Sequence, residues 1–459
     1  MPSEQQVVQA PHQHPLWGNL RAFQQDALAT VEVAREAGDF VRWRFGPFWF
    51  YQANDPELVR QILVNQASQF HKTDRNKEVF RPVIGEGLLV SDGAFWRRQR
   101  TMVQPAFHTQ RIRAYGDIMV EEANAMLQRW RDGADFELHH EMMRVTLAIV
   151  ARTLFDIRLE DQDFQRVSEA MDVVLEEANN RFQSIIDIPR WVPTRSHRRS
   201  QEAIEVLDTV IHRIIEARRR SGEDRGDLLS ILLFSEDDEG HRMTAKQVRD
   251  EAMTLFLAGH ETTANALTWA WTLLSQHSDV LAELQREVHQ NLGDRYPTVD
   301  DLEALKLHEQ VINETMRLYP PVWIIARQSI SEVPIGNYTL PEGARVFISA
   351  WGLHRDPSLF EDPLIFRPER FGENQSADRH KYAFIPFGGG PRICIGNAFA
   401  MMEAQLILAT MVSQVEIELA PDQNIAPEPL VTLRPRDPIP ISMQWRKQEA
   451  PPLPIEDRA

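Results

Sequence analysis

The 459-residue chain contains one cysteine, Cys394, within the stretch AFIPFGGGPRICIGNAFAMMEAQL, Ala383 to Leu406. Gly388, Gly389 and Gly390 remove side chains where the backbone must turn tightly or approach something flat, and Gly396 repeats this just past the thiol. An apolar helix is expected from near Asn397, so its free N–H groups and positive dipole end aim back at the sulfur. That position favours the thiolate. A thiolate suits a soft or borderline metal, and a single one without a neighbouring His or Cys points to iron held mainly by a porphyrin. A phosphate loop is the rival for a glycine-rich turn before a helix, but the Lys-Ser/Thr ending is missing and Ile393 and Ile395 line an anion poorly. An inert buried thiol is the ordinary fate of a lone Cys, yet it leaves the glycines unexplained.

Three other groupings have spacings that could do chemistry or support it. The stretch AGHETT, Ala258 to Thr263, puts Glu261 and Thr262 in the middle of an otherwise apolar helical segment. Such side chains either bond back to their helix or serve a polar task inside a cavity. Glu314 and Arg317 lie at i, i+3 and can pair on one helix face. In FWRRQR, Trp96 and Arg100 lie at i, i+4 and face the same way, whereas Arg97 and Arg98 point elsewhere.

The elements that must position these residues are mainly helical. Thr244 and Gln247 have capping-box spacing and open a periodic segment that runs to about His277, about 33 residues or roughly 50 Å. Its centre, AMTLFLAG, is apolar on every face, so it should cross the core. A second helix is expected over TVDDLEALKLHEQVINETMRLYPP, stopped by Pro320 and Pro321. Aromatic and polar residues alternate on either side of Gly46-Pro47 over 39–56, which reads as a hairpin, and short strands are expected around VPIGNYTL and ARVFISA. Between Pro56 and Gln285 the pattern is helical, broken by turns such as GEGLLVSDG and DIPRWVPTR; proline-rich coil fills Asp356 to Phe371. Without repeats or a low-complexity linker, one large fold is favoured.

Composition bounds the function. Hydrophobic residues at 43% and charged residues at 25% suit a globular protein with a sizeable interior. A net charge of -17 argues against a nucleic-acid footprint over the whole surface. The first residues lack a signal-peptide pattern and no run approaches the roughly 18 uncharged residues of a membrane span, so a cytoplasmic protein without a membrane anchor is expected. One free Cys fits a reducing compartment and excludes a disulfide framework.

The pattern Phe387-Gly388-x-Gly390-x-Arg392-x-Cys394-x-Gly396 resembles the haem-binding signature of the cytochrome P-450 family, the haem-thiolate monooxygenases. The resemblance runs from the Pro-Leu-Trp-Gly segment near residue 15 to about Arg446, with its motifs in order. It implies a mainly α fold with small β-sheets, a single domain over 1–459 with β-rich parts at roughly 39–56 and 322–350, and haem b buried between the long central helix and the Cys-loop helix. Cys394 is then the metal ligand, and Phe387, Gly388, Gly396 and Ala258 lie against the haem. Trp96, Arg100, Arg392, Arg327 and Lys72 match positions that contact its propionates. AGHETT is similar to the family's oxygen-activating motif, in which the helix opens locally and Thr262 and Glu261 handle the protons that O–O cleavage consumes. Glu314 and Arg317 resemble the Glu-x-x-Arg element, with Arg370 of FRPERF as third member of a structural charge cluster.

The same resemblance implies insertion of one atom of O2 into a C–H or C=C bond of a hydrophobic fatty acid, terpenoid, steroid or polyketide. Its expected walls are Val83 and Leu88 in the loop Phe80 to Leu89, Leu255 and Ala258, Val322, Trp323 and Ile324, and Val431; an ordinary apolar core has the same composition. Trp323 is expected to narrow the space above the haem. Since the chain stops at Ala459 without a flavin or nicotinamide module, electrons from NAD(P)H are expected through a separate ferredoxin or flavodoxin with its reductase. Arg97, Arg98, Arg111 and Arg113 are candidates for docking that partner, and the basic Arg195 to Arg199 is expected between two helices. A monomer is expected. Rival readings are a haem-thiolate peroxygenase or isomerase, which would usually lack the Glu261-Thr262 pair, and a haem-based ligand sensor, which needs no electron supply.

Overall fold

The computed structural model describes residues 7–446, apart from 12–13, 131–134, 159–160, 185–187, 189–190, 238, 374, 376–377 and 422. The expected turn DIPRWVPTR lies partly outside the described residues, as do the first six residues of the chain. Val8–Gln9 (β1) pairs in parallel with Phe40–Phe45 (β2), which turns through Gly46 into Phe48–Ala53 (β3), the hairpin expected from the alternation. Among the described residues this hairpin belongs to a six-stranded sheet completed by Arg345–Ser349 (β9), Ile324–Ser329 (β6) and Phe70–His71 (β4), in the order β1-β2-β3-β9-β6-β4. Asp135–Glu137 (β5) and the strands Val415–Leu419 (β10) and Pro440–Trp445 (β13) make a three-stranded sheet. Two hairpins, Val333–Ile335 (β7) with Tyr338–Leu340 (β8) and Pro427–Pro429 (β11) with Leu433–Pro435 (β12), stand by themselves.

Helices make up most of the rest: Asp74–Ile84 (α1), Gly93–Val103 (α2), Leu138–Phe155 (α3), Asp161–Gln183 (α4), Arg195–Ser221 (α5), Ala245–Gln276 (α6), Lys306–Leu318 (α7) and Asn397–Gln414 (α8) organise the site. α6 is the long helix read from the sequence, 32 residues with the Thr244/Gln247 capping box in place. It packs against α3, α5, α7 and α8, and residues on every side of it, from Met253 and Phe256 to Trp269 and Trp271, are buried. A helix surrounded in this way needs the all-round apolar sequence it has. Among the described residues no helix is long and apolar enough to cross a membrane.

Three local expectations change. The helix read over 298–319 is two pieces, a 3₁₀ turn at Val299–Glu303 and α7 from Lys306, because Leu305 leaves helical geometry. The Asp301 carboxylate accepts from the Thr298 N–H and hydroxyl, each at 2.8 Å, and closes the first turn early. Phe80 to Ile84, expected in a loop, forms the end of α1, which Thr73 caps by accepting from Asn76 N–H at 3.2 Å. Arg195 to Arg199, expected between helices, instead opens α5, capped by Thr194.

Candidate active site

The Cys394 loop is built from backbone turns that need its glycines. Gly388 and Gly390 have φ of 72° and 67°. A Cβ on Gly390 would also stand 1.8 Å from the Leu63 carbonyl oxygen, so no side chain fits there. The loop is closed by Cys394 N–H donating to Phe387 O at 3.0 Å, and Arg100 Nη1 ties it to α2 by donating to Ile393 O at 2.9 Å. α8 then starts at Asn397, as expected. The expectation that the helix end alone favours the thiolate is corrected: Cys394 exposes surface, but at depth in the fold, and the protein packed around its sulfur keeps bulk water away and pushes the thiol up, while the Gly396 N–H and the Arg100 charge only partly oppose this. A metal cation at the sulfur would supply the missing stabilisation. Among the described residues no group of three His, Cys, Asp or Glu side chains could hold a metal ion without such a cofactor.

Across from packed neighbours, one strip of α6 is open. Ala258 is exposed and Thr262 half-buried in the middle of a helix whose other faces lie in the core, and Cys394 is itself exposed. An exposed alanine at that depth marks an interior cleft. α6 is helical throughout, so the expected local opening is absent: Thr262 Oγ1 donates to Ala258 O at 3.0 Å, the back-bond open to any helical threonine. Glu261 leaves the helix about 100° away. It is buried, its Oε1 accepts from Thr432 Oγ1 at 2.6 Å, and burial raises its pKa to about 7 against the opposing effect of that hydrogen bond.

A second part of the site is cationic. Lys72, Arg327 and Arg392 come from separate segments and stand close enough that burial and mutual repulsion lower the pKa of Lys72 well below its ordinary value; burial chiefly lowers Arg327 to about 10. Arg392 stacks on Trp96, its guanidinium carbon 4.2 Å from the ring centre, and Arg100 is near enough to add to the repulsion. Asp92 is the acid of this group, pairing with Lys77 at 3.0 Å and with Arg392. It does not balance the cations: Arg392 Nη1 is buried without a partner, and Arg327 donates to the carbonyl of Ala326. Such a surplus fits a group bearing two carboxylates, as haem does, because buried cations call for anionic partners. The lone exposed thiol, the glycine turns and the cationic surplus together fit haem.

Behind the Cys loop the expected charge cluster is present. Arg317 donates from Nε and Nη2 to Glu314 at 2.7 and 2.8 Å, and Arg370 Nε donates to the same carboxylate at 3.0 Å. All three side chains are buried. Arg317 Nη1 also donates to His354 O at 2.8 Å, and His354 Nε2 accepts from Ile385 N–H at 3.0 Å, which links the cluster to the chain entering the Cys loop. Burial and the nearby arginines hold the His354 pKa down at about 3, so it stays a neutral acceptor. His354 was not singled out from the sequence, since nothing in its neighbourhood marks it.

The expected substrate walls divide. Leu88, Ile324 and Val431 are half-buried and Val322 is 37% exposed, so they can border a cleft. Val83, Leu255 and Trp323 are nearly fully buried in apolar clusters and can shape it only from behind. Trp323 packs near Phe23 and donates from Nε1 to Leu430 O at 2.9 Å. Three of the four arginines expected to dock a partner are already engaged: Arg98 with Asp237, Arg113 with Asp300, and Arg111 with the carbonyl of Gly226. Arg97 is exposed.

A mainly helical fold around one lone thiol, an interior cleft and a buried cationic surplus defines a haem-thiolate class of protein. Residues 8–443 match the family model Cytochrome P450, and the chain belongs to that family. It is 37% identical over 426 residues to cyclooctatin synthase of Streptomyces melanosporofaciens, covering 92% of this chain and 93% of that protein. It is 34% identical to pentalenene oxygenase of Streptomyces avermitilis, covering 92% and 94%. The crystal structure of the cytochrome P450DA heme domain superposes with a TM-score of 0.86 at 27% identity, covering 96% of this chain and 98% of that one. The protein is an oxidoreductase that incorporates oxygen from O2, with haem as the family's cofactor.

Proposed function

We propose that this protein hydroxylates a cyclic terpenoid, acting as one domain and as a monomer in the cytoplasm, with electrons from NAD(P)H delivered by a separate ferredoxin or flavodoxin and its reductase. The substrate class rests on relatives at 34–37% identity whose names carry pentalenene and cyclooctatin, and on the apolar half-buried walls at Leu88, Ile324 and Val431. The observation that carries the chemistry is the exposed Cys394 combined with exposed Ala258 and half-buried Thr262 on the same strip of a helix whose neighbouring faces are buried.

When bound, haem supplies O2 binding and reductive cleavage of the O–O bond. The chain does the rest. Cys394 ligates the iron, and the Gly396 N–H and Arg100 temper the charge on its sulfur. Lys72, Arg327, Arg392, Arg100 and Trp96 hold the two carboxylates; Phe387, Gly388, Gly396 and Ala258 allow a flat group to approach. Thr262 turns its hydroxyl hydrogen from Ala258 O toward the cleft, and Glu261, with a pKa near neutrality, can both give and take a proton at its carboxyl. Apolar walls exclude water and orient the C–H bond to be attacked.

The test is turnover of cyclic terpenes by the purified protein with a ferredoxin, its reductase and NADPH under isotope-labelled O2. One labelled oxygen in the product is expected, and Thr262→Ala should retain haem but divert electrons to peroxide. Equal coupling of electrons to product in wild type and Thr262→Ala would count against the relay; binding and oxidation of fatty acids with no response to terpenes would count against the substrate class.

A further inference from the structure

A row of side-chain hydrogen bonds joins Glu261 to the edge of the molecule. Thr432 Oγ1 donates to Glu261 Oε1 at 2.6 Å, Asn265 Nδ2 donates to Thr432 Oγ1 at 3.2 Å, and Asn265 Oδ1 lies 2.9 Å from His139 Nε2. Because the amide nitrogen of Asn265 faces Thr432, its oxygen must accept, so His139 Nε2 carries hydrogen. Every donor in the row therefore points toward the Glu261 carboxyl. Thr432, Asn265 and Glu261 are buried, whereas His139 is half-buried.

The members come from different elements. His139 lies in the first turn of α3, Asn265 and Glu261 lie one turn apart on α6, and Thr432 sits in the turn between β11 and β12. The charged and titratable groups near His139 are Glu137, His260, Arg434 and Asp172, and Arg434 is paired with Asp172 at 3.4 Å and Glu428 at 3.3 Å. A second proton on His139 would go to Nδ1, which leaves the Nε2 donor and the direction of the row unchanged.

The same turn carries the expected wall residue Val431, and the carbonyl of Leu430 accepts from Trp323. Thr432 thus ties the acid to a segment that borders the cleft, while Thr262 faces the cleft directly. The geometry points to Thr432, oriented by Asn265 and His139, as a positioning residue that holds the Glu261 carboxyl on the hairpin side of α6 and frees it toward Thr262 when substrate displaces the hairpin. This rests on the reading of Glu261 as the relay acid.

The experiment is infrared titration of the buried carboxyl band in the substrate-free holoprotein, with Glu261→Gln identifying the band. Thr432→Val keeps the volume but removes the donor, so the ionisation midpoint should rise by about one pH unit, about tenfold in proton affinity, while Thr432→Ser should stay at the wild-type value. Saturating wild type with a substrate that perturbs the haem spectrum should move the midpoint in the direction Thr432→Val does. A Thr432→Val midpoint equal to wild type, a Thr432→Ser midpoint that moves as far as the valine variant, or a wild-type midpoint indifferent to substrate would overturn the proposal. Unchanged coupling in Glu261→Gln would instead remove the relay role and leave these midpoints standing, so the two failures are separable.

Discussion

Glu251→Gln probes how far burial alone sets an ionisation in this protein. Glu251 lies on α6 with no exposed surface; its Oε2 accepts from Leu88 N–H at 3.1 Å and its Oε1 has no partner. It fastens the loop before α2 to the core helix, and the fit is close, since a Cβ on Gly87 would fall 1.9 Å from Thr254 Oγ1. Burial pushes the carboxyl up to about 8, Asp250 adds to this and the Leu88 N–H opposes it. In the unfolded chain the same carboxyl ionises near its ordinary 4.5. A raised acid pKa means the folded state binds the extra proton, so folding costs nothing on this account below about 4.5 and becomes progressively less favourable as pH rises through about 8. The whole gap corresponds to about 5 kcal/mol, of which about 4 kcal/mol falls between about pH 5 and 9. Glutamine keeps an acceptor for Leu88 N–H and does not titrate. Urea unfolding midpoints of both proteins over this pH range should therefore diverge, with the variant gaining on wild type as pH rises. Buried acids common to both, Glu261 and Glu403 among them, cancel in the difference. A difference that stays flat with pH would refute the reasoning and mean that Glu251 is ionised in the fold.

Glu314→Gln should cost about 3–5 kcal/mol in urea unfolding, because the carboxylate accepts from Arg317, Arg370 and the Arg367 N–H while an amide would turn donors toward buried guanidinium groups; a loss under about 1 kcal/mol would show the cluster to be dispensable. Cys394→Ser should abolish the strongly red-shifted Soret band of the dithionite-reduced, carbon monoxide-treated protein. A wild-type band at the position typical of histidine ligation would refute the role given to Cys394.

Most features contained in one stretch of chain were legible beforehand. The 32-residue α6 follows from a capping box and an apolar pattern without a polar face, the 40–53 hairpin from alternation around Gly46, and the end of α7 from two prolines. The Cys394 turn and the Glu314/Arg317 spacing belong to the same kind, because turn geometry and helical pitch act between near neighbours. Some local devices were nevertheless misread, such as the Asp301–Thr298 turn and the Thr194 cap before Arg195, and the other failures depended on distant residues. Whether Val83 and Trp323 meet a cleft or a core, and which expected docking arginines are already paired, are settled by elements that arrive from elsewhere in the chain.

By itself, then, the sequence determined the local devices: the glycine turns around a lone thiol, the acid and alcohol on a core helix, and the acid and base one turn apart. Only the tertiary structure decided what surrounds them. His354 reaches Arg317 across 37 residues and Thr432 reaches Glu261 across 171, separations at which no periodicity survives. It also decided the direction in which Cys394 and Glu261 titrate, because burial is a property of the packed neighbours and not of the residue or its flanking sequence.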